Sequence, residues 1–212
     1  MPRVHLADLS DGEVSDVELV GVLPDGWDEP LQLSGVRLTG ASLVGARLAG
    51  SRLVDVELVG CDLSGADLEG AAFTRVSARD ARWSGVQLAW ARWQDVRLVE
   101  CRLDQVNLAR LTAQRLWCER CTCVGADLRI AQLEGATFRD CDLSEVDVAQ
   151  VTMQRVRLHG SRLDGLRSAM SLHPVEVDAE QHRAIADSVL EQLGVSITPF
   201  PDPDDETDRT SP

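Results

Sequence analysis

The sequence predicts an all-β solenoid, a chain that coils repeatedly around an apolar interior, and three observations lead to this prediction. From Leu31 to Gly165 the sequence divides into 27 consecutive blocks of five residues, without insertion or deletion. None of the 17 acidic residues and 17 Arg in this segment falls at the first or third position of a block. Gly occupies the fifth position in 12 of the 27 blocks, and it supplies the conformational freedom that a recurrent bend needs.

The first and third positions of each block are the predicted interior. The third residue is Leu in 17 blocks, and the first is Ala in nine, Val in nine and Cys in four. Charges scattered evenly over the five positions would all miss these two with a chance on the order of 10⁻⁸, so the period is real. A period of five differs from the 3.6 of an amphipathic helix and from the 2 of an alternating strand, which excludes both as the explanation.

The blocks resemble the repeat of the pentapeptide-repeat family, A-(D/N)-L-x-x. Examples are Ala66-Asp67-Leu68-Glu69-Gly70 and Ala126-Asp127-Leu128-Arg129-Ile130. The resemblance implies a right-handed quadrilateral parallel β-helix with four pentads in each coil, hence nearly seven coils, stacked roughly 4.8 Å apart. Arg is frequent at the second position, where the family favours Asp, Asn or Ser, and this departure concerns the outer walls of the coil.

Four segments are predicted along the chain. Residues 1–30 form an irregular first coil or cap with a turn at Pro24-Asp25-Gly26, and residues 31–170 form the pentapeptide-repeat β-helix. Residues 171–197 hold a capping or dimerisation helix. The acidic, Pro-rich tail 198–212 is predicted to be disordered because it offers too little apolar surface to bury.

The C-terminal helix is placed at about 178–193. Asp178 followed by Gln181 has the spacing of a capping box, and Gly194 follows the last periodic residue. Ile185, Val189 and Leu193 share one apolar face, which could plug the open end of the coil or join two molecules. Because members of the family often dimerise through the C-terminal end, the resemblance favours a homodimer.

Composition and motifs argue against an enzyme. Cys118-x-x-Cys121-x-Cys123, with Cys101 and Cys141 one coil to either side, has the look of a metal site. Every one of these thiols falls on an inward position, however, so core packing is the favoured interpretation and no metal or cofactor is predicted. His5, His159, His173 and His182 lie far apart, and no nucleophile elbow, phosphate loop or dinucleotide fingerprint is present.

The same composition bears on location. The sequence has no run of about 18 apolar residues that would predict a membrane span. The residues after Met1 lack the continuous apolar stretch of a secretory signal. Six Cys in such a chain predict free thiols in a reducing cytoplasm.

The net charge of −14 is unevenly distributed. The pentads are balanced, whereas residues 1–30 carry eight acidic residues against one Arg, and residues 166–212 carry ten against three. Well-known members of the family imitate B-form DNA and bind DNA gyrase or topoisomerase IV, so the resemblance implies a regulator that affects quinolone sensitivity. Such mimicry needs a dense negative potential along the rod. We therefore predict a non-catalytic protein-binding scaffold of unspecified partner, without direct nucleic-acid or membrane binding, and keep the gyrase regulator as the alternative.

Two Trp residues are candidates for an interface. Trp90 at a fifth position and Trp117 at a second position both point outward in this frame. An exposed Trp often marks a binding surface, but it can equally give local cover, and Trp90 is expected to stack beside Arg110 of the next coil. The predicted interface residues are Trp90, Trp117, Ile185, Val189 and Leu193.

Overall fold

The computed structural model describes residues 1–195, and the predicted disordered tail lies outside this range. The chain forms a parallel β-solenoid of about eight turns with one short C-terminal helix, which confirms the predicted fold class. Within the described residues, no helix is long and apolar enough to cross a membrane.

Residues 1–195 form fifteen strands, three 3-10 turns and one α-helix. The strands are β1 Arg3–His5, β2 Glu13–Ser15, β3 Glu18–Val20, β4 Gln32–Ser34, β5 Arg37–Thr39, β6 Arg52–Val54, β7 Glu57–Val59, β8 Ala72–Arg79, β9 Arg92–Val99, β10 Thr112–Glu119, β11 Gln132–Glu134, β12 Thr137–Arg139, β13 Thr152–Gln154, β14 Val156–Arg157 and β15 Val175–Glu176. The 3-10 turns are Leu6–Asp8, Ala169–Ser171 and Ala179–Gln181, and helix α1 is His182–Gln192.

Each coil has four sides and 20 residues, because parallel pairing joins residue i to residue i+20 in four separate columns. We name the sides by their first complete pentads, side 1 from Leu31, side 2 from Val36, side 3 from Ala41 and side 4 from Ala46. Sides 1 and 2 carry the strands, as in the pairing of Arg52 with Ala72 and of Glu57 with Ser77. Sides 3 and 4 carry single bridges, such as Asp62 to Arg82.

The corners explain the period of five. All 27 residues at the fifth position have left-handed backbone, with φ between 51° and 74°, whether the residue is Gly or not. A left-handed residue after four extended or turn residues redirects the chain, and Gly adopts this conformation at the lowest steric cost. Fifth-position Gly is therefore common because of the geometry of the corner.

The interior is a continuous column of first- and third-position side chains, almost all of them buried. It contains an aromatic cluster in which the Phe73 and Trp93 rings stack with centroids 5.6 Å apart. Trp83 meets Trp93 edge to face at 6.4 Å. Small residues of neighbouring pentads, including Ala78 and Ala113, are buried alongside, so that large and small side chains fill a tube of constant width.

The two ends differ from the regular coils. Strands β1, β2 and β3 add a further coil before Leu31, which is why the rod has about eight turns and not the nearly seven counted from the pentads. The register is irregular there, with Arg3 opposite Glu18 and Glu18 opposite Arg37, and it reaches the 20-residue spacing at Val22 opposite Ser42. At the other end the regular frame lapses at Ser168, and α1 packs on the last turn.

Candidate protein-interaction site

The charges on the walls are largely paired from one coil to the next. Arg37 Nε lies 2.7 Å from Glu57 Oε2 on side 2. Arg75 donates hydrogen bonds to both carboxylate oxygens of Asp55 on side 1, at 2.6 and 2.7 Å. Similar contacts join Arg115 to Asp95, Arg120 to Glu100 and Arg162 to Asp142. In these pairs side chains of opposite sign meet at i and i+20, and the 17 acidic residues of residues 31–165 are balanced by 17 Arg, so the rod has no net charge there.

One corner column of side 1 shows this alternation most clearly. Asp55, Arg75, Asp95 and Arg115 follow one another at its fifth positions. A hydrogen bond from Arg75 holds the pKa of Asp55 below its ordinary value, and one from Arg115 does the same for Asp95. These pairs are solvent exposed, so each contributes little to the free energy of unfolding, but together they neutralise the wall.

The two candidate Trp residues differ in exposure. Trp90 is 54 % exposed, and the Arg110 guanidinium lies 4.4 Å from its ring centroid, which confirms the predicted contact. Trp117 is only partly exposed. Its indole Nε1 donates to Glu119 Oε2 at 3.2 Å, and Arg97 lies 5.4 Å from its ring centroid. Trp117 is therefore held by neighbouring side chains of its own wall, whereas much of the Trp90 side chain remains exposed to solvent.

Sequence reasoning missed two further apolar residues on the same edge as Trp90. Ile130 is the fifth residue of a side 4 pentad two coils further on, and it is 39 % exposed. Met170 is 64 % exposed and belongs to the turn that continues this edge, because Gln150 N donates to Ser171 Oγ at 3.3 Å. We call Trp90, Ile130 and Met170 the apolar edge. With coils roughly 4.8 Å apart, Trp90 and Ile130 are separated by about 10 Å.

A groove of about 340 Å³ accompanies this edge. Its walls are Arg110, Arg129, Ile130 and Gln150, and its floor consists of Ala109 and Ala149. Because Ala109 and Ala149 at fourth positions are small, the neighbouring fifth-position side chains extend beyond them into solvent. An edge that combines Trp, Ile and Arg around small residues has the composition typical of a protein-binding surface.

The backbone makes these apolar residues costly. Trp90 and Ile130 have φ of 63° and 62°, in the left-handed region that is unfavourable by roughly 1–2 kcal/mol for residues with a Cβ. A β-branched residue is a pronounced outlier there. Gly50 and Gly70 occupy the same column in earlier coils. The presence of Ile130 in a corner suited to Gly or Asn would have been the sequence signal for this site.

The other three predicted interface residues lie on the C-terminal helix or directly after it. Ile185 and Val189 are half-buried and pack against the chain's own core, so they cover the open end of the solenoid. Leu193, just after the helix, is 59 % exposed. Of the three residues that were predicted to form one interface face, Leu193 alone has most of its side chain available to another molecule.

Polar contacts fasten the helix to the last coil. The predicted capping box is present, and Asp178 N donates to Gln181 Oε1 at 2.7 Å. The buried Gln181 amide donates to the carbonyls of Leu158 and Ser161. Asp178 also accepts from Gly160 N at 2.6 Å, and this bond lowers the pKa of its carboxyl. The helix is thereby held as a lid on the coil.

All six thiols are free and buried. The Cys121 thiol donates to the backbone carbonyls of Leu98 and Glu119, at 3.6 and 3.4 Å. Burial raises the pKa of the Cys123 thiol well above its ordinary value, which keeps it protonated and unreactive at neutral pH. Within residues 1–195 no group of three or more His, Cys, Asp or Glu side chains is arranged to hold a metal ion.

The repeat and the four-sided coil define a class of protein. The family model of pentapeptide repeats matches the chain in eight copies, over residues 32–70 and 131–165. The chain belongs to the pentapeptide-repeat proteins. No curated protein matches it in sequence.

The solved structure of a fluoroquinolone resistance protein agrees on the fold. A trypsin-treated form of QnrB1, a plasmid-mediated fluoroquinolone resistance protein, superposes with a TM-score of 0.62 at 17 % identity, covering 93 % of this chain and 95 % of that one. HetL, a pentapeptide-repeat protein involved in heterocyst differentiation regulation from the cyanobacterium Nostoc sp., matches at 22 % identity over 70 % of this chain and 77 % of its own, with a TM-score of 0.40. At 17 % identity the likeness to QnrB1 concerns the fold alone.

The strained corner yields a stability prediction. We expect Ile130→Asn to raise the free energy of unfolding by about 0.5–1 kcal/mol, because Asn tolerates left-handed backbone and can hydrogen-bond locally. The measurement is urea denaturation followed by circular dichroism. Ile130→Val is the matched control, since it keeps the β-branch and should give no gain. A clear loss of stability in Ile130→Asn would mean that Ile130 is there for packing.

Proposed function

We propose that this protein is a non-catalytic, protein-binding scaffold whose partner contacts the apolar edge. The supporting observation is that Trp90 and Ile130 occupy left-handed corners at a cost to folding and yet leave much of their surface to solvent. Strain that the fold itself does not need is commonly retained at functional sites. The remaining walls, with their paired charges, offer a partner far less apolar surface.

The edge also has the residues that carry binding energy in protein interfaces. Trp and Arg are enriched among the residues whose truncation weakens binding most, and here Arg110 already stacks on Trp90. The guanidinium is thus held in place before a partner arrives, which lowers the entropy lost on binding. Rigid corners of a solenoid present such groups with little loop motion.

Loss of a specific partner is the test of this proposal. Tagged wild-type protein and the variant Trp90→Asn/Ile130→Asn are compared in pull-downs from lysate of the native organism, followed by quantitative mass spectrometry. We expect a partner enriched on the wild type to be depleted at least about tenfold on the variant, the equivalent of 1.4 kcal/mol.

The control is Asp80→Asn/Asp140→Asn. These residues also occupy left-handed fifth positions, but on side 2, so the control makes two similar replacements on another wall. If both variants retain every partner of the wild type, the apolar edge is not the binding site.

Regulation of DNA gyrase or topoisomerase IV is the alternative. It is favoured by the resemblance to the family and by a fold match that spans 93 % of the chain. Paired wall charges argue against it, because a DNA mimic must present uncompensated negative potential. The remaining acidity belongs to residues 1–30 and 166–212 and not to the walls.

We therefore predict no inhibition of purified gyrase supercoiling at micromolar protein. The assay is run across a series of salt concentrations with the wild type and with a known gyrase-binding pentapeptide-repeat protein as positive control. Potent inhibition that weakens steeply with salt would be the signature of electrostatic mimicry and would replace the scaffold proposal.

We also propose a cytoplasmic location, supported by six thiols in the free state. A homodimer through the C-terminal end remains a prediction, and Leu193 is now its best candidate contact because Ile185 and Val189 serve the chain's own core.

Substitution of Leu193 tests the dimer. If two molecules join there, Leu193→Asp should convert a dimer to a monomer in sedimentation velocity, since an unpaired charge would be buried in the interface. Glu191→Gln, an exposed change on the same helix, should leave the dimer intact. A wild type that sediments as a monomer at high concentration would contradict the prediction.

A further inference from the structure

The first coil of the solenoid is incomplete on one side. After Val22, which pairs with Ser42, the pentad frame breaks at Leu23-Pro24-Asp25-Gly26-Trp27. Pro24 lacks an N–H, Gly26 has φ of +78°, and Trp27 N bonds back to Pro24 O. The loop turns on itself instead of running along the next coil as every later pentad does.

The second coil is left with unpaired backbone groups as a result. At later coils Gly45 N donates to Ser64 O, Leu48 N donates to Asp67 O, and Asp67 N donates to Ala46 O. Among residues 1–195, nothing makes the corresponding bonds to Val44 O, Arg47 O and Arg47 N. A short stretch of β-edge is therefore open between the loop and the second coil.

A groove of about 390 Å³ lies at this edge. Val22 and Val44 line it and are 60 % and 57 % exposed. Trp27 forms part of its wall, with the indole fixed by a 2.8 Å bond from Nε1 to Glu29 O. The groove thus combines open backbone groups with apolar side chains, the two features by which a sheet edge accepts an added strand.

The charges around the groove indicate which kind of partner segment it can bind. Asp25 lines the groove and Asp28 and Glu29 follow in the same loop, all three exposed. Residues 1–30 have eight acidic residues and one Arg. Within residues 1–195, Glu18 is the only one of these eight that forms an ion pair. Arg47 is the single basic residue lining the groove. A basic segment is favoured here, and an acidic one is repelled.

We propose that this groove binds an extended, Arg- or Lys-rich segment of a partner protein, which adds as the missing strand of the first coil and places an apolar side chain against Val22 and Val44. The groove shares no residue with the apolar edge, whose first member, Trp90, lies on side 4 two coils beyond the pentad of Arg47. The rod would then have two binding surfaces of different chemistry, an apolar edge on side 4 and an acidic groove at the first coil.

The probe is a fluorescein-labelled peptide, RVRLRVR, measured by fluorescence anisotropy on the full chain. We expect saturable binding that weakens with added salt. The acidic peptide EVELEVE should not bind. A form of RVRLRVR with N-methylated backbone amides should bind about tenfold more weakly or worse, because it cannot donate to Val44 O and Arg47 O.

Four variants localise the binding. Val44→Arg adds a positive charge to an exposed groove position and should weaken RVRLRVR about tenfold. Val195→Arg makes the same substitution at an exposed residue at the opposite end of the rod and should leave affinity within a factor of about two. Asp28→Asn/Glu29→Gln removes rim charge without touching the apolar wall and should give a smaller loss. The Trp90→Asn/Ile130→Asn variant should bind like the wild type, so this test is independent of the apolar edge.

Several outcomes would overturn the proposal. Equal affinity of Val44→Arg and the wild type would place the peptide elsewhere. Equal affinity of the N-methylated peptide would rule out strand addition, and tight binding of EVELEVE would remove the electrostatic argument. Absence of saturable RVRLRVR binding by a wild type with native circular dichroism would reject the site altogether.

Discussion

The hydrogen-bonded stacking of each residue on the residue 20 positions later underlies every other feature of this structure. It is made on all four sides, by strand pairing on sides 1 and 2 and by single bridges on sides 3 and 4. Because the register is constant from Gln32 to Arg167, each position of the pentad becomes a straight column along the rod. Interior, corners and walls are then properties of columns, and a substitution is felt first by its neighbours one coil above and below.

Columns also determine what the surface can do. Opposite charges at i and i+20 neutralise each other, as in the run Asp55, Arg75, Asp95 and Arg115. A rod with a net charge of −14 consequently has walls with little net potential, and the acidity remains where regular stacking stops. The same geometry brings together Trp90 and Ile130, which are 40 residues apart in sequence and about two coils apart along one edge.

The interior of this protein could be predicted from sequence almost in full, because charge is excluded from first and third positions by a large desolvation penalty. The Trp90–Arg110 contact followed from the same 20-residue count. Trp117 was less predictable, because Glu119 and Arg97 draw it onto its own wall. An irregular first coil was predicted, but its strands β1 to β3 could not be placed from the sequence, since they pair at irregular spacings that no fixed period reveals.

The apolar edge was missed for a different reason. A pattern that assigns inside and outside treats all outward residues alike, and it gives no weight to backbone conformation at the fifth position. Ile130 is unusual because of its φ of 62° and not because of its hydrophobicity. The open edge at Val44 and Arg47 likewise depends on how the loop at Pro24 folds back, which is a property of tertiary structure.

The constant register has a consequence for how the length of such a chain can change. An insertion or deletion that is not a multiple of five would move the first-position residues, the third-position residues or both out of the interior in every later pentad. A change of five, ten or fifteen residues would keep the core but rotate the later part of the surface by one or more sides, separating Arg75 from its carboxylates and Ile130 from the edge it shares with Trp90. Only a change of a whole coil preserves core and surface together, so the repeat is five residues long while the unit of viable growth is 20.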